Sequence, residues 1–132
     1  LLWIVNSEDQ CAKCKVATVD DFMASHLMLL KDGHCLTEHA LSACKLESIS
    51  PHSFSATSLS TLIQLVIGKM GSTLVPEIAM DQLVASNGQL ACIPLEEPGP
   101  HRELAIAIRP NYPGMANIEA LVELFRSELT AK

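Results

Sequence analysis

Short apolar runs divided by polar stretches set the rhythm of this chain. LLWIVN (1–6) is continuous enough for a buried strand, and the polar stretch SEDQCAKCK follows it. Thr18 is a suitable N-cap, its hydroxyl able to accept from open N–H groups of a first turn, so a short helix is expected over TVDDFMAS. HLMLL (26–30) predicts a strand and KDGHC (31–35) a turn. Leu36, Ala40 and Ala43 recur at helical spacing, which predicts a helix from Leu36 to Leu46. After the break at SISPH comes a short strand, SFSA (53–56), and then Thr57 and Ser58, both N-cap residue types, ahead of SLSTLIQLVIGK. In that segment Leu59, Leu62, Ile63, Val66 and Ile67 form one apolar face, and Gly68 and Gly71 mark its end.

Further along, STLV (72–75) predicts a strand, and Pro76 suits the first turn of a helix over PEIAMDQLVA. QLACIPL predicts another strand, with Cys92 buried in it. The proline-rich connector EEPGPH (96–101) leads to ELAIAIRP (103–110), a near-continuous apolar strand. An amphipathic last helix then carries Ile118, Leu121, Val122 and Phe125 on one face. Strands alternating with helices, in runs rich in Val, Ile and Leu, predict an α/β fold with a mostly parallel sheet flanked by helices.

Composition narrows the function classes. The 132 residues suffice for one domain with an ordinary core, and 48% apolar content favours folding over disorder. No apolar run approaches the roughly 18–20 residues of a membrane span and no signal-peptide pattern opens the chain, so a cytoplasmic protein without membrane contact is expected. Lys and Arg total 9 against 15 Asp and Glu, and no basic stripe appears, so these residues are not expected to bind DNA themselves.

Five cysteines stand at 11, 14, 35, 44 and 92, an odd number that does not fit a secreted disulfide scaffold. Unreactive thiols, a metal site and a redox switch all remain open at this point. Cys11-Ala-Lys-Cys14 is a C-x-x-C that reads as half a zinc site completed by His34 or Cys35, as a thioredoxin-like dithiol, or as an exposed pair in a polar loop. A zinc ribbon shows a second C-x-x-C and none exists here, so neither a metal nor a cofactor is expected.

The run LMLLKDGHCLTEHALSACKL, followed by FSATSLSTLIQLVIGKMGSTLVP, resembles the effector domain of LysR-type transcription regulators. SATSLSTLIQLV…GSTLVP, a strand, a capped helix and a strand ending in proline, occurs across that family and carries the fold alone. GHCL with a second cysteine nine residues later is more specific, and is similar to the peroxide-sensing OxyR branch. The resemblance implies a Rossmann-like subdomain of a periplasmic-binding-protein-type fold. Residues 1–97 would be the second effector subdomain, and 98–132 the return strand and helix of the first. The other half of that first subdomain and the winged-helix DNA-binding domain would then lie outside these residues.

The same resemblance implies stoichiometric sensing of hydrogen peroxide, oxidative-stress regulation and no enzymatic turnover. Cys35 would be the peroxidatic thiol and Cys44 the resolving one, reset by a cellular reducing dithiol system. The regulator would be a homodimer or homotetramer, reaching DNA and RNA polymerase only through the full-length protein. His34 and Arg102 would flank the peroxide pocket, with Arg102 stabilising the thiolate and polarising the leaving hydroxide; Arg109 fits that place less well. Glu38 matches an acidic residue near the pocket, and reads equally as a solvated helix charge. Thr57 and Ser58 occupy the place where LysR-type domains line an effector cleft. They support an alternative, a domain that binds a small-molecule inducer and has inert cysteines, although both also read as N-caps.

The chemistry agrees with the redox reading. Peroxide is attacked by a thiolate, and an ordinary Cys, with pKa ~8.5, is mostly protonated at neutral pH. Cys35 falls at the start of a predicted helix, where unpaired N–H groups and the positive end of the macrodipole favour an anion. Attack gives a sulfenic acid, which a second thiol converts to a disulfide. Nine residues of ideal helix advance ~13.5 Å and turn ~900°, which leaves Cys35 and Cys44 on opposite faces. A disulfide needs Cα atoms roughly 4.4–6.8 Å apart, so a Cys35–Cys44 bond requires the helix to unwind or the 31–35 loop to move. The plain alternative is two unreactive cysteines, with Cys44 in the core as a small hydrophobe.

Overall fold

The computed structural model describes residues 1–31, 35–43, 55–96 and 104–130. They fall into two compact units, residues 1–101 and residues 102–132.

The first unit is built on a five-stranded sheet of β1 (Leu2–Asn6), β2 (Leu27–Leu30), β3 (Ser55–Ala56), β4 (Ser72–Val75) and β5 (Leu90–Pro94), in the order β3-β2-β4-β1-β5. β2 pairs parallel with both β3 and β4, whereas β1 pairs antiparallel with β4 and β5. Four strands therefore point one way and β1 alone is inverted between two of them. The expectation of a mostly parallel sheet holds for strand direction but for only half of the pairings. The cause is the connection from β1 to β2. The 3₁₀ helix Gln10–Lys13 and α1 (Val19–Ala24) bring the chain back to the edge it left, so β2 runs opposite to β1, with β4 between them. Helices α2 (Cys35–Ala43) and α3 (Leu59–Ile67) instead follow β2 and β3 in the chain, and the strands they connect, β2 to β3 and β3 to β4, run the same way, as helical crossovers require.

Side chains that alternate along the strands fill two cores. Ile4, Met28, Leu30 and Val75 face α3, where Leu62, Ile63 and Val66 meet them. Trp3, Val5, Leu29, Leu74 and Ile93 face the other way, onto Ala17 and onto Ala40 of α2. Trp3, Ile4 and Val5 are all buried, which explains why LLWIV is apolar without alternation: an inner strand covered on both faces has no solvent side.

Local polar contacts set the element ends. Ser58 Oγ accepts the Thr61 N–H at 3.2 Å and caps α3, a contact of about 1 kcal/mol by analogy with other caps. At the other end of α3, Asn6 Nδ2 donates to the Ile67 carbonyl at 3.0 Å, a last-turn acceptor, and more weakly to the Val66 carbonyl at 3.4 Å, which also accepts the Lys69 N–H at 3.0 Å. Gly71 has φ +153°, and a Cβ there would stand 2.3 Å from the His26 carbonyl oxygen, so only glycine lets β4 start against β2. At α1 the Thr18 hydroxyl donates to the Asp21 carboxylate at 2.7 Å, and the Thr18 N–H donates to the same oxygen at 2.8 Å. Thr18 thus works with Asp21 as its acceptor, a variant of the capping box.

Several expectations need correction. The polar stretch 7–15 contains a 3₁₀ helix, and the helix expected over 76–85 is a 3₁₀ turn, Glu77–Ala79, followed by the four-residue α4 (Met80–Leu83). Cys92 is exposed on β5, because an edge strand is covered less than an inner one and only Ile93 of β5 is buried. In the second unit α5 (Met115–Thr130) is present, but residues 104–109 pair with no strand among the described residues. Leu104, Ile106 and Ile108 are exposed there, since an apolar pattern becomes a strand only where a neighbouring edge takes its N–H and C=O groups. No helix among the described residues is long and apolar enough to cross a membrane.

Candidate functional site

The parallel strands β3, β2 and β4 end at one edge of the sheet, the edge at which α/β folds of this kind place their ligands. Two helices begin there. α2 starts at Cys35, and α3 follows Thr57 and Ser58.

The sequence of α2 decides which way its residues face. Leu36, Thr37 and Ala40 are buried, so the helix turns that stripe inwards and leaves Cys35 and Glu38 exposed. Cys35 and Glu38 are three residues apart and so are neighbours on the helix surface. The buried Thr37 hydroxyl donates to the Leu30 carbonyl at 2.8 Å, tying the first turn of α2 to the last residue of β2. That bond fixes the height of Cys35 above the sheet edge. Cys35 thus stands exposed as the first residue of α2.

Of the residues singled out in the sequence, Cys35, Glu38, Thr57 and Ser58 come to this one edge, and all four are exposed. Ser58 is engaged in its cap, with Thr61 Oγ1 2.8 Å from its hydroxyl, and Thr57 precedes it. His34, Cys44 and Arg102 lie outside the described residues. Arg109 is exposed in the second unit.

The opposite edge carries a feature that sequence reading missed. A cleft of about 550 Å³ is lined by Asn6, Asp9, Cys11, Asp21, His26 and Lys69 among others. Lys69 pairs with Glu8 at its rim and holds that carboxyl below the usual range. Asp21 is also held low, by the hydrogen bonds it accepts from Thr18. Cys11 shifts the other way: burial pushes its thiol up, and the charges of Asp9, Cys14 and Asp21 add to the shift. These residues come from three separate stretches of chain, so no local motif announced the cleft. Among the described residues no group of three or more His, Cys, Asp or Glu side chains is placed to hold a metal ion. Cys92, with its sulfur 4.0 Å from the Met80 sulfur, has its thiol pushed up by partial desolvation and by Glu77.

Comparison with known proteins agrees with this architecture. Residues 1–130 match the family model described as the LysR substrate binding domain. The HTH-type transcriptional regulator EstR of Acinetobacter baylyi is 33% identical over 127 residues, 95% of this chain and 42% of that protein. The DNA-binding transcriptional dual regulator OxyR of Escherichia coli K12 is 28% identical over 130 residues, 98% of this chain and likewise 42% of that protein. The reduced regulatory domain of OxyR2 from Vibrio vulnificus superposes with a TM-score of 0.75 at 34% identity, covering 92% of this chain and 58% of that one. The chain thus spans less than half the length of the curated relatives named here. With nearly every residue matched by the family model and the fold shared with a solved regulatory domain, this chain belongs to the LysR substrate-binding domain family.

Proposed function

We propose that this domain is the hydrogen-peroxide sensor of a LysR-type transcription regulator, with Cys35 as the peroxidatic thiol and Cys44 as its resolving partner. The observation that carries the reading is the position of Cys35: exposed, first in α2, at the carboxyl edge of the parallel strands. The similarity to peroxide-inducible regulators supports it.

In the proposed reaction the Cys35 thiolate attacks one peroxide oxygen and the O–O bond breaks, giving Cys35 sulfenic acid and hydroxide. The Cys44 thiol then condenses with that sulfenic acid, forming the disulfide and releasing water. By the resemblance, the roles proposed for His34 and Arg102 are to serve the peroxide, Arg102 as a fixed positive charge for the leaving hydroxide, with Glu38 as the acidic neighbour of Cys35 on α2. As described, α2 is helical from Cys35 to Ala43, a rise of ~12 Å, so the disulfide cannot close while that helix persists. Oxidation therefore melts α2 and alters the packing of a homodimer or homotetramer in the cytoplasm. DNA and RNA polymerase are reached through the rest of the protein, and a reducing dithiol system restores the thiols.

The second reading is an inducer-binding domain with inert cysteines, which the exposed Thr57 at the same edge favours. Peptide mass mapping after brief, near-stoichiometric peroxide treatment separates the two. A Cys35–Cys44 link that disappears in Cys35→Ser is the expected result. Cys35 still fully alkylated, together with thermal stabilisation by a small-molecule inducer, would sink the redox reading.

A further inference from the structure

We propose that Cys11 and Cys14 form a second redox couple, a dithiol across the 3₁₀ turn beside the cleft that closes to a disulfide by exchange with a small-molecule disulfide. The proposal does not rest on the peroxide reading.

The turn makes the pair. A 3₁₀ helix has 3.0 residues per turn and rises ~2.0 Å per residue, so positions three apart stack one above the other, roughly 6 Å apart. That distance falls inside the Cα window of a disulfide, roughly 4.4–6.8 Å. Here the helix is Gln10–Lys13, and its closing bond runs from the Cys14 N–H to the Cys11 carbonyl at 2.9 Å. The Asp9 carboxylate accepts the Cys11 N–H at 2.8 Å and holds the start of the turn. Cys14 adds to the upward push on the Cys11 thiol, as expected of its neighbour across the turn. A Cys35–Cys44 bond needs a helix to unwind, whereas this one needs only a local adjustment of one turn and its two side chains.

Access and chemistry fit exchange. Cys14 is exposed and is the thiol a small molecule meets first, while Cys11 is half-buried and lines the cleft. In the first step the Cys14 thiolate attacks one sulfur of the small disulfide RSSR, forming Cys14–S–S–R and releasing RS⁻. In the second the Cys11 thiolate attacks the Cys14 sulfur, forming Cys11–S–S–Cys14 and releasing the second RS⁻. The two protein protons leave with the two RS⁻ as RSH, so the dithiol is oxidised and RSSR is reduced. Asp9 and Asp21 beside Cys11 disfavour its thiolate, which makes it a poor leaving group and the closed form slow to reopen. Cys11 and Ala12 also pack on the same core as Ala40 and Leu41 of α2, so closing the turn stiffens one wall of the core that seats the sensor helix.

The test equilibrates the protein, without peroxide, in mixtures of reduced and oxidised glutathione, then quenches with acid and alkylates. The peptide holding residues 11 and 14 is expected to pass from doubly alkylated to unalkylated in one step. The ratio of oxidised to reduced protein should fall tenfold for each tenfold rise in [GSH]²/[GSSG]. The transition should be unchanged in Cys35→Ser, and Cys11→Ser should stop at a glutathione adduct on Cys14. Two thiols alkylated at every ratio would overturn the proposal, as would a wild-type protein that stops at the adduct.

Discussion

Replacing Thr37 by Val removes one oxygen and little else, because the two side chains share a branched shape and similar helix preference. Thr37 is 2% exposed, and its hydroxyl is the polar tie between α2 and the Leu30 carbonyl. Losing a neutral hydrogen bond costs ~0.5–1.5 kcal/mol, and leaving a buried acceptor short raises that towards ~1–3 kcal/mol. A central value of ~1.5 kcal/mol corresponds to a factor of roughly ten in an equilibrium constant at 25 °C. Trp3, the only tryptophan in the chain and fully buried in β1, reports unfolding by its fluorescence. With urea slopes of ~1–3 kcal/mol per M for small proteins, the midpoint should fall by ~0.5–1.5 M. Amide exchange across 35–43 should quicken roughly tenfold, more than in β1, since the lost tie belongs to α2. If α2 must melt for Cys35 to reach Cys44, the same variant should also form that disulfide faster at fixed peroxide. An unchanged midpoint and unchanged exchange over α2 would refute the view that this bond seats the helix.

Other outcomes follow from the same contacts. Asn6→Ala strips the Ile67 carbonyl of its side-chain donor and the Glu8 N–H of its acceptor, and should cost ~1–3 kcal/mol in urea unfolding. Gly71→Ala places a methyl against the His26 carbonyl and should destabilise by ~1–3 kcal/mol, seen as a lower thermal midpoint. Asp21 has a lowered carboxyl pKa because Thr18 donates to its ionised form, so its contribution is present above the ordinary carboxylate range and is lost as pH falls through its native value. The stability difference between wild type and Asp21→Asn should therefore shrink on acidification; a difference independent of pH would contradict the assignment. Cys11, with its thiol raised, should alkylate more slowly than an ordinary thiol at pH 8 and keep accelerating above pH 9.

The parts of the fold that were legible in the sequence are those whose information is local. STLV (72–75) coincides with β4, the apolar stripe Leu62, Ile63 and Val66 with the buried face of α3, and Ser58 with its cap. The inversion of β1 was not legible, because pairing partners lie far along the chain and nothing within LLWIVN records direction. Cys92 was misplaced for a related reason: an apolar strand pattern does not say which strand will be an edge. The 3₁₀ turn at Gln10–Lys13 is polar and too short to show a period. At the site, Cys35 could be placed at a helix start from GHC and the spacing that follows it. The cleft at the other edge depends on Asn6 reaching Ile67, 61 residues away, and on the close approach at Gly71.

The inverted strand has a consequence for synthesis as well as for shape. β1 pairs only with β4 and β5, whose residues begin at Ser72 and end at Pro94. At a translation rate of roughly 5–20 residues per second, Trp3 and its neighbours wait ~4–18 s before β5 has even been made. Until then LWIVN is an uncharged, β-prone segment with both faces apolar and both edges open, the kind of segment that pairs with other chains. Its burial at the centre of the finished sheet and its vulnerability in the nascent chain have the same origin.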